Sequence, residues 1–135
     1  MKLRKTRHSV YNINYHFVWI PKYRRSILNG QIKADLDGLI KHYARENEVE
    51  ILSLSIQPDH VHLFVSSPPR FSPSQLINLF KGATARELLK RYPNLNGRSA
   101  AKRRGSLWTR SYYVGTAGTV SAETIEHYIA ECQDE

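Results

Sequence analysis

The strongest constraint on the fold is a pair of alternating segments joined by a two-residue turn. Apolar side chains alternate with polar ones in residues 49–57, and they alternate again in residues 60–66. A period of two is typical of strands that bury one face. Pro58-Asp59, between the two segments, has turn-forming composition. The pattern predicts an antiparallel hairpin whose core side carries Leu52, Leu54, Ile56, Val61, Leu63 and Val65.

The remaining segments complete the predicted order of elements. Residues 11–20 alternate like a half-buried strand, and residues 112–115 form a short one. Residues 31–48 have helical periodicity, Ser72-Pro73 starts a second helix that ends near Arg91, and Ser121 caps a third. This order predicts an α+β fold. We expect a ferredoxin-like sandwich with an antiparallel sheet and an extra C-terminal helix, in one domain spanning residues 1–135.

The charge balance favours a polyanionic partner. The chain has 20 lysines and arginines against 12 acidic residues, which gives a formal net charge of +8. Its single cysteine, Cys132, excludes an intrachain disulfide and a multi-cysteine zinc site. No segment approaches the roughly 18 apolar residues of a membrane helix. We therefore expect a soluble, cytoplasmic protein that binds nucleic acid and no membrane.

Basic residues concentrate in two places. They follow the first strand, and they recur in residues 94–110, where apolar residues are few and a mobile loop is expected. Such residues suit phosphate contacts, and nearby aromatic rings suit stacking on unpaired bases; a solvated charged face and core aromatics are the alternative. The candidate DNA-binding residues are Lys22, Arg24, Arg25, Arg98, Lys102, Arg103, Arg104, Arg110 and Trp108, with Tyr112 and Tyr113 as further stacking candidates.

His60 and His62 are candidate metal ligands. Two residues apart on a strand, they project from the face opposite the core, roughly 7 Å apart along the backbone. Two surface histidines are the alternative interpretation. A third ligand must come from elsewhere, and spacing does not decide between Asp59 and Gln133. His16 falls on the polar face of the first strand, where it either neighbours this pair or has a structural role.

Tyr128 is the candidate nucleophile. It lies between Ile125 and Ile129 in the apolar stripe of the last helix, where a tyrosine usually belongs to the core. It can act chemically only if this helix packs over the histidine face. There a phenolate could attack a phosphodiester whose oxygens a metal ion polarises.

Several segments carry a resemblance to a known family. They are Tyr15-His16-Phe17-Val18-Trp19, Lys22-Tyr23-Arg24-Arg25, Pro58-Asp59-His60-Val61-His62-Leu63, Ser74 to Gly82, Leu107-Trp108, Tyr112-Tyr113-Val114-Gly115 and Thr124-Ile125-Glu126-His127-Tyr128-Ile129. In this order, over nearly the whole chain, they resemble the HUH transposases with a single catalytic tyrosine, the TnpA-type enzymes of the smallest insertion sequences.

The resemblance implies a complete mechanism. His60 and His62 would bind Mg²⁺ or Mn²⁺, and Tyr128 would cleave single-stranded DNA to form a 5′-phosphotyrosine and a free 3′-hydroxyl. The partners would be hairpins near the ends of the element and a second subunit that exchanges the tyrosine helix. The family places a glutamine ligand one helical turn after the tyrosine, where this chain has Cys132. Gln133 is the expected third ligand, with Glu131 or water as substitutes.

Two other functions fit the same sequence. A non-catalytic module that binds single-stranded nucleic acid would share the sandwich, but it would need no metal. A replication or conjugation nickase would share the histidine pair. The histidines on the open sheet face favour an enzyme over the binding module, and the chain length argues against the nickase.

Overall fold

The structure, a computed structural model, describes residues 3–96, 106–116 and 120–132. Its strands are β1 (Arg4–Lys5), β2 (Val10–Tyr11), β3 (Asn14–Trp19), β4 (Glu50–Gln57), β5 (His60–Ser66) and β6 (Tyr113–Gly115). Its helices are α1 (Gly30–Glu46), α2 (Pro73–Arg91) and α3 (Ala122–Cys132), and a short 3₁₀ turn spans Lys22–Arg24. The predicted order of the long elements is confirmed.

The main sheet is antiparallel and has the strand order β4-β5-β3-β6. The hairpin predicted around Pro58-Asp59 is its β4-β5 pair. Val18 of β3 lies opposite His62 of β5 and opposite Tyr113 of β6. This order, with a helix after the first and third strands of the sheet, is the predicted ferredoxin-like arrangement.

Each face of the sheet is covered differently. On one face, core residues of β3 and β5, such as Trp19 and Leu63, pack with buried residues of α1 and α2, such as Leu36 and Phe80. On the other face, Ile20 packs with Ile129 of α3 in a separate cluster. Helix α3 therefore lies on the face opposite the main core.

The first strand and β4 depart from their predicted patterns. The alternating segment 11–20 breaks after Tyr11, because Val10–Tyr11 pairs with Arg4–Lys5 and β3 begins only at Asn14. In β4 the register shifts between Ile51 and Ser53. Leu52, predicted to face the core, is 41% exposed, and Ile51 packs against the core instead. A bulge changes the face of the residues beyond it, which a strict period of two does not anticipate.

The start of α2 is the predicted one. The Ser72 side chain accepts a hydrogen bond from the Gln75 backbone, the Gln75 side chain accepts one from the Ser72 backbone, and Pro73 is at the first helical position. This reciprocal cap fixes where α2 begins and therefore how its apolar side meets the sheet.

The loop before β6 is only partly described. Residues 97–105, which include Arg98, Lys102, Arg103 and Arg104, lie outside the described residues. The end of the loop is anchored, contrary to the predicted mobile loop, because Leu107 and Trp108 are buried. Among the described helices, none is both long and apolar enough to cross a membrane.

Candidate metal and nucleophile site

The two candidate metal ligands lie side by side on β5. His60 and His62 alternate with Val61 and Leu63, which are fully buried on the core side, so both imidazoles project from the opposite face. Both histidines are half-buried. The structure therefore brings them to one face, as the period of two predicts.

Asp59 is the hydrogen-bond partner of His60. Its Oδ1 lies 2.9 Å from Nδ1 of His60, and its Oδ2 accepts a 2.7 Å hydrogen bond from Nε of Arg24. Partial burial raises the pKa of the Asp59 carboxyl, but the hydrogen bonds from Arg24 and His60 outweigh it, and the pKa lies below its ordinary value. The ionised carboxylate thus holds Nδ1 of His60 and leaves Nε2 as the nitrogen that a metal ion could bind.

His16 contacts His62, the second candidate ligand. Its Nδ1 lies 3.0 Å from Nε2 of His62, and its ring stacks on Phe64 with a centroid distance of 3.9 Å. Burial lowers the pKa of His62, and the neighbouring His16 and His60 lower it further. A neutral imidazole is the form that binds metal ions. Of the two roles left open for His16, the structure supports that of neighbour to the pair.

His60 and His62 could supply two imidazole nitrogens to a metal ion with open coordination positions, although Nε2 of His62 lies 3.0 Å from Nδ1 of His16. Within the described ranges no group of three or more histidine, cysteine, aspartate and glutamate side chains is placed to hold an ion. Asp59 is engaged by Arg24 and His60. Glu131 lies 3.5 Å from His127 on its own helix and is 65% exposed. Gln133 lies outside the described residues, so its role as third ligand stays a prediction.

Helix α3 brings Tyr128 to the histidine side of the sheet. Val18 lies opposite His62 in the register, and Ile20, two residues further along the extended chain, continues the same face. Ile20 and Ile129 are fully buried against each other, with Tyr128 packed beside them. Helix α3 therefore lies on the same side of the sheet as the histidines, packed against Ile20 and close to Arg24, and whether it covers the histidine pair stays a prediction. The Tyr128 hydroxyl lies 3.4 Å from Oγ of Ser111 in the same chain.

A lysine that the sequence analysis did not single out supports the segment beside Tyr128. Nζ of Lys81 donates to the backbone carbonyls of Thr109, Arg110 and Ser111 at 2.6, 3.3 and 3.1 Å. Three carbonyls use all three donors of an ammonium group. Lys81 therefore fixes the backbone of Ser111, which contacts Tyr128. A lone lysine on a helix gives no signal of this role.

The basic residues near β3 have structural partners. Arg24 pairs with Asp59 and lies 3.7 Å from Glu126 of α3, and Arg25 donates a 2.7 Å hydrogen bond to the Leu95 carbonyl. Arg24 thus links the histidine turn to the tyrosine helix. Its short bond to Asp59 uses Nε alone, and its contact with phosphate stays a prediction.

Trp108 is a core residue, which corrects the expectation that it stacks on bases. It is 2% exposed, its Nε1 donates a 3.1 Å hydrogen bond to Thr84, and its ring meets Trp19 edge to face at 6.0 Å. A side chain buried in this way offers no face to a nucleobase. Arg110, two residues further on, is exposed.

Known transposases match this chain over most of its length. The family model described as "Transposase IS200 like" matches residues 9–132. The ISDra2 transposase TnpA of Deinococcus radiodurans is 31% identical over 134 residues, which cover 99% of this chain and 94% of that protein. The transposase of insertion sequence element IS200 from Salmonella typhimurium is 30% identical over 122 residues, which cover 90% of this chain and 78% of that protein.

Two solved structures are similar as well. A crystal structure of a candidate transposase from Deinococcus radiodurans R1 has a TM-score of 0.79 and 32% identity, and the match covers 96% of this chain and 97% of that one. A REP-associated tyrosine transposase, solved bound to a REP hairpin, has a TM-score of 0.52 and 17% identity over 96% of this chain and 69% of that one. At that identity the likeness shows the fold alone.

Proposed function

The chain belongs to the family of IS200-like transposases, and on that premise we propose that it cuts and rejoins single-stranded DNA. Tyr128 is the nucleophile, and His60 and His62 hold a divalent metal ion, Mg²⁺ or Mn²⁺. One observation carries the proposal. The burial of Ile129 against Ile20 brings the tyrosine helix to the sheet face from which both imidazoles project.

Cleavage in this proposal forms one bond to phosphorus and breaks another. The Tyr128 hydroxyl loses its proton as its oxygen attacks the phosphorus, the bond from phosphorus to the 3′ oxygen breaks, and the 3′ oxygen takes up a proton and leaves as a 3′-hydroxyl. The product is a 5′-phosphotyrosine, and attack by a 3′-hydroxyl reverses the step without an external energy source. A bound divalent ion supplies polarisation of the phosphate oxygens.

The contacts of the surrounding residues support the proposed roles of His60, His62 and Tyr128. Asp59 fixes the His60 ring through Nδ1, and burial keeps His62 in the neutral form that a metal ion requires. Lys81 holds the segment that contacts the Tyr128 hydroxyl. The third metal ligand in this proposal is Gln133, with Glu131 or water as its substitute.

The proposal includes the DNA and the second subunit. The substrate is a single strand with hairpins near the ends of the element, and basic residues contact its phosphates. The active assembly is a homodimer in which each tyrosine helix leaves its resting packing on its own chain and serves the histidine pair of the other subunit. Mixing a His60→Ala/His62→Ala chain with a Tyr128→Phe chain should then restore activity at one composite site. No recovery in demonstrated heterodimers would contradict the exchange.

A cleavage assay tests the proposal directly. The protein is incubated with a single strand spanning the DNA that flanks its gene, with Mg²⁺ or Mn²⁺, and the products are separated under denaturing conditions. We expect a covalent protein-DNA adduct that depends on the metal ion. Tyr128→Phe should abolish it, and Tyr112→Phe, which removes another hydroxyl, should retain it. An adduct formed by Tyr128→Phe would contradict the nucleophile, and metal-independent binding without an adduct would favour a non-catalytic binding module.

A further inference from the structure

The turn after β3 holds two neighbouring residues in the left-handed backbone region. Tyr23 has φ 60° and ψ 24°, and Arg24 has φ 51°. Residues with a Cβ adopt this region at an energetic cost, because the Cβ approaches the following carbonyl oxygen. Glycine would remove that cost at either position. The chain nevertheless has a bulky aromatic residue and an arginine there.

Several contacts hold the turn in this conformation. The Lys22 backbone N–H donates to the Leu107 carbonyl at 2.9 Å, and the Arg24 backbone N–H donates to the Pro21 carbonyl at 2.9 Å. The Arg24 side chain is fixed by its 2.7 Å bond to Asp59. Strain of this kind persists where the surroundings over-determine it, and it clusters at functional sites.

The result of this strained turn is an exposed aromatic ring. Tyr23 is 61% exposed, and it is the only aromatic residue among the large hydrophobic side chains exposed in the described part of the chain. A single exposed apolar side chain is ordinary on a protein surface. An exposed aromatic side chain on a strained backbone is not ordinary, since a polar residue or glycine at this position would keep the protein soluble at a lower energetic cost.

The ring lies beside a cation and close to the histidine turn. Nζ of Lys22 is 5.9 Å from the centroid of the Tyr23 ring. The neighbouring Arg24 bonds Asp59, which in turn bonds His60. Tyr23 is therefore next in sequence to Arg24, which is linked through Asp59 to His60, the first candidate metal ligand.

We propose that Tyr23 is a stacking site for an unpaired nucleobase of the DNA strand, with Lys22 beside it for a phosphate. This inference rests on the proposed function, which supplies the single-stranded substrate. An aromatic face accepts any base, and an adjacent amine contacts the backbone that carries it. The stacking site holds the strand close to His60, where the phosphate to be cut is bound.

Binding measurements on variants test this site. The Tyr128→Phe chain serves as the parent, so that binding is measured without cleavage, and the probe is a fluorescently labelled single strand spanning the DNA that flanks the gene. Tyr23→Ala should raise the Kd about 5- to 150-fold. Tyr23→Trp, which keeps an aromatic face, should bind as the parent does. Leu52→Ala, which shortens an exposed side chain on another strand, is the matched control and should have no effect.

The salt dependence separates stacking from charge. The slope of log Kd against log salt concentration should be unchanged in Tyr23→Ala, because no phosphate contact is lost. Lys22→Gln should reduce that slope. A reduced slope in Tyr23→Ala would contradict a stacking role.

A glycine variant separates the site from folding. Tyr23→Gly relieves the left-handed strain, so its thermal midpoint should equal or exceed that of the parent while its DNA affinity falls as in Tyr23→Ala. If both variants bind the strand as tightly as the parent, the stacking site is wrong and the proposed function stands. If the parent itself does not bind single-stranded DNA, the proposed function fails, and the stacking site with it.

Discussion

Replacing Asp59 by asparagine tests how the histidine turn is organised. The carboxylate accepts from Arg24 at 2.7 Å and holds Nδ1 of His60 at 2.9 Å. Asparagine has the same shape, but with its oxygen toward Arg24 its amide nitrogen meets Nδ1 of His60, which can pair with it only as an acceptor, with the ring proton on Nε2. The His60 ring loses the partner that fixes its tautomer and orientation.

The expected magnitudes follow from these contacts. Loss of a partner that orients a ligating histidine typically weakens metal binding 10- to 100-fold, or about 1.4 to 2.7 kcal/mol. The Arg24 and Asp59 side chains are 31% and 22% exposed, so water screens their interaction. We therefore expect Asp59→Asn to lower the free energy of unfolding by only about 1 kcal/mol. The effect on metal binding should exceed the effect on folding.

Calorimetric titration with Mn²⁺ measures the loss of metal affinity, and thermal unfolding in the absence of metal measures the loss of stability. Asp37→Asn is the matched control, because it makes the same change of charge at an exposed ion pair with Lys41 on α1. It should leave the Mn²⁺ affinity unchanged. An Asp59→Asn chain that binds Mn²⁺ as tightly as the unmodified protein would refute this role of Asp59.

Three further predictions concern stability. Trp108→Ala should lower the free energy of unfolding by about 3 to 5 kcal/mol in denaturant titrations, because it removes a buried ring bonded to Thr84; a change below 1 kcal/mol would contradict its core position. The hydrogen bond from the Tyr92 hydroxyl lowers the pKa of Asp35 below 3.8, so this bond stabilises the fold above pH 3.8 and stops doing so as the pH falls through the lowered pKa. The difference in thermal midpoint between Tyr92→Phe and the parent should therefore narrow as the pH falls through the lowered pKa. A difference that stays constant with pH would contradict this role of Tyr92. His16→Phe should keep or raise the thermal midpoint, because it retains a buried aromatic ring and removes Nε2, which has no hydrogen-bond partner among the described residues, and this gain offsets the lost 3.0 Å contact with half-buried His62. A clear loss of stability would show that the imidazole is needed for folding.

The local patterns predicted most of the fold and the shared face of the two candidate histidines. Strand alternation in residues 60–66 placed His60 and His62 on one face, and the Ser72-Pro73 cap fixed the start of α2. Both features depend on neighbours in sequence, which is why they could be predicted without the structure.

The failures all involve contacts between distant residues. Trp108 lies in a basic segment with few apolar neighbours, but it is buried by Trp19 and Thr84 from other elements. The bulge that exposes Leu52 depends on pairing with β5. The packing of α3 over Ile20 likewise follows from tertiary structure, so the sequence could state it only as a condition.

The central claim, that Tyr128 works beside a metal ion held by His60 and His62, has a direct spectroscopic test. A fluorotyrosine is placed at position 128, and its ¹⁹F resonance is followed as Mn²⁺ is added to the protein with bound single-stranded DNA. The paramagnetic ion should broaden this resonance strongly, and the broadening should disappear in His60→Ala/His62→Ala. A resonance that stays sharp while Mn²⁺ is bound to the histidine pair would contradict the claim.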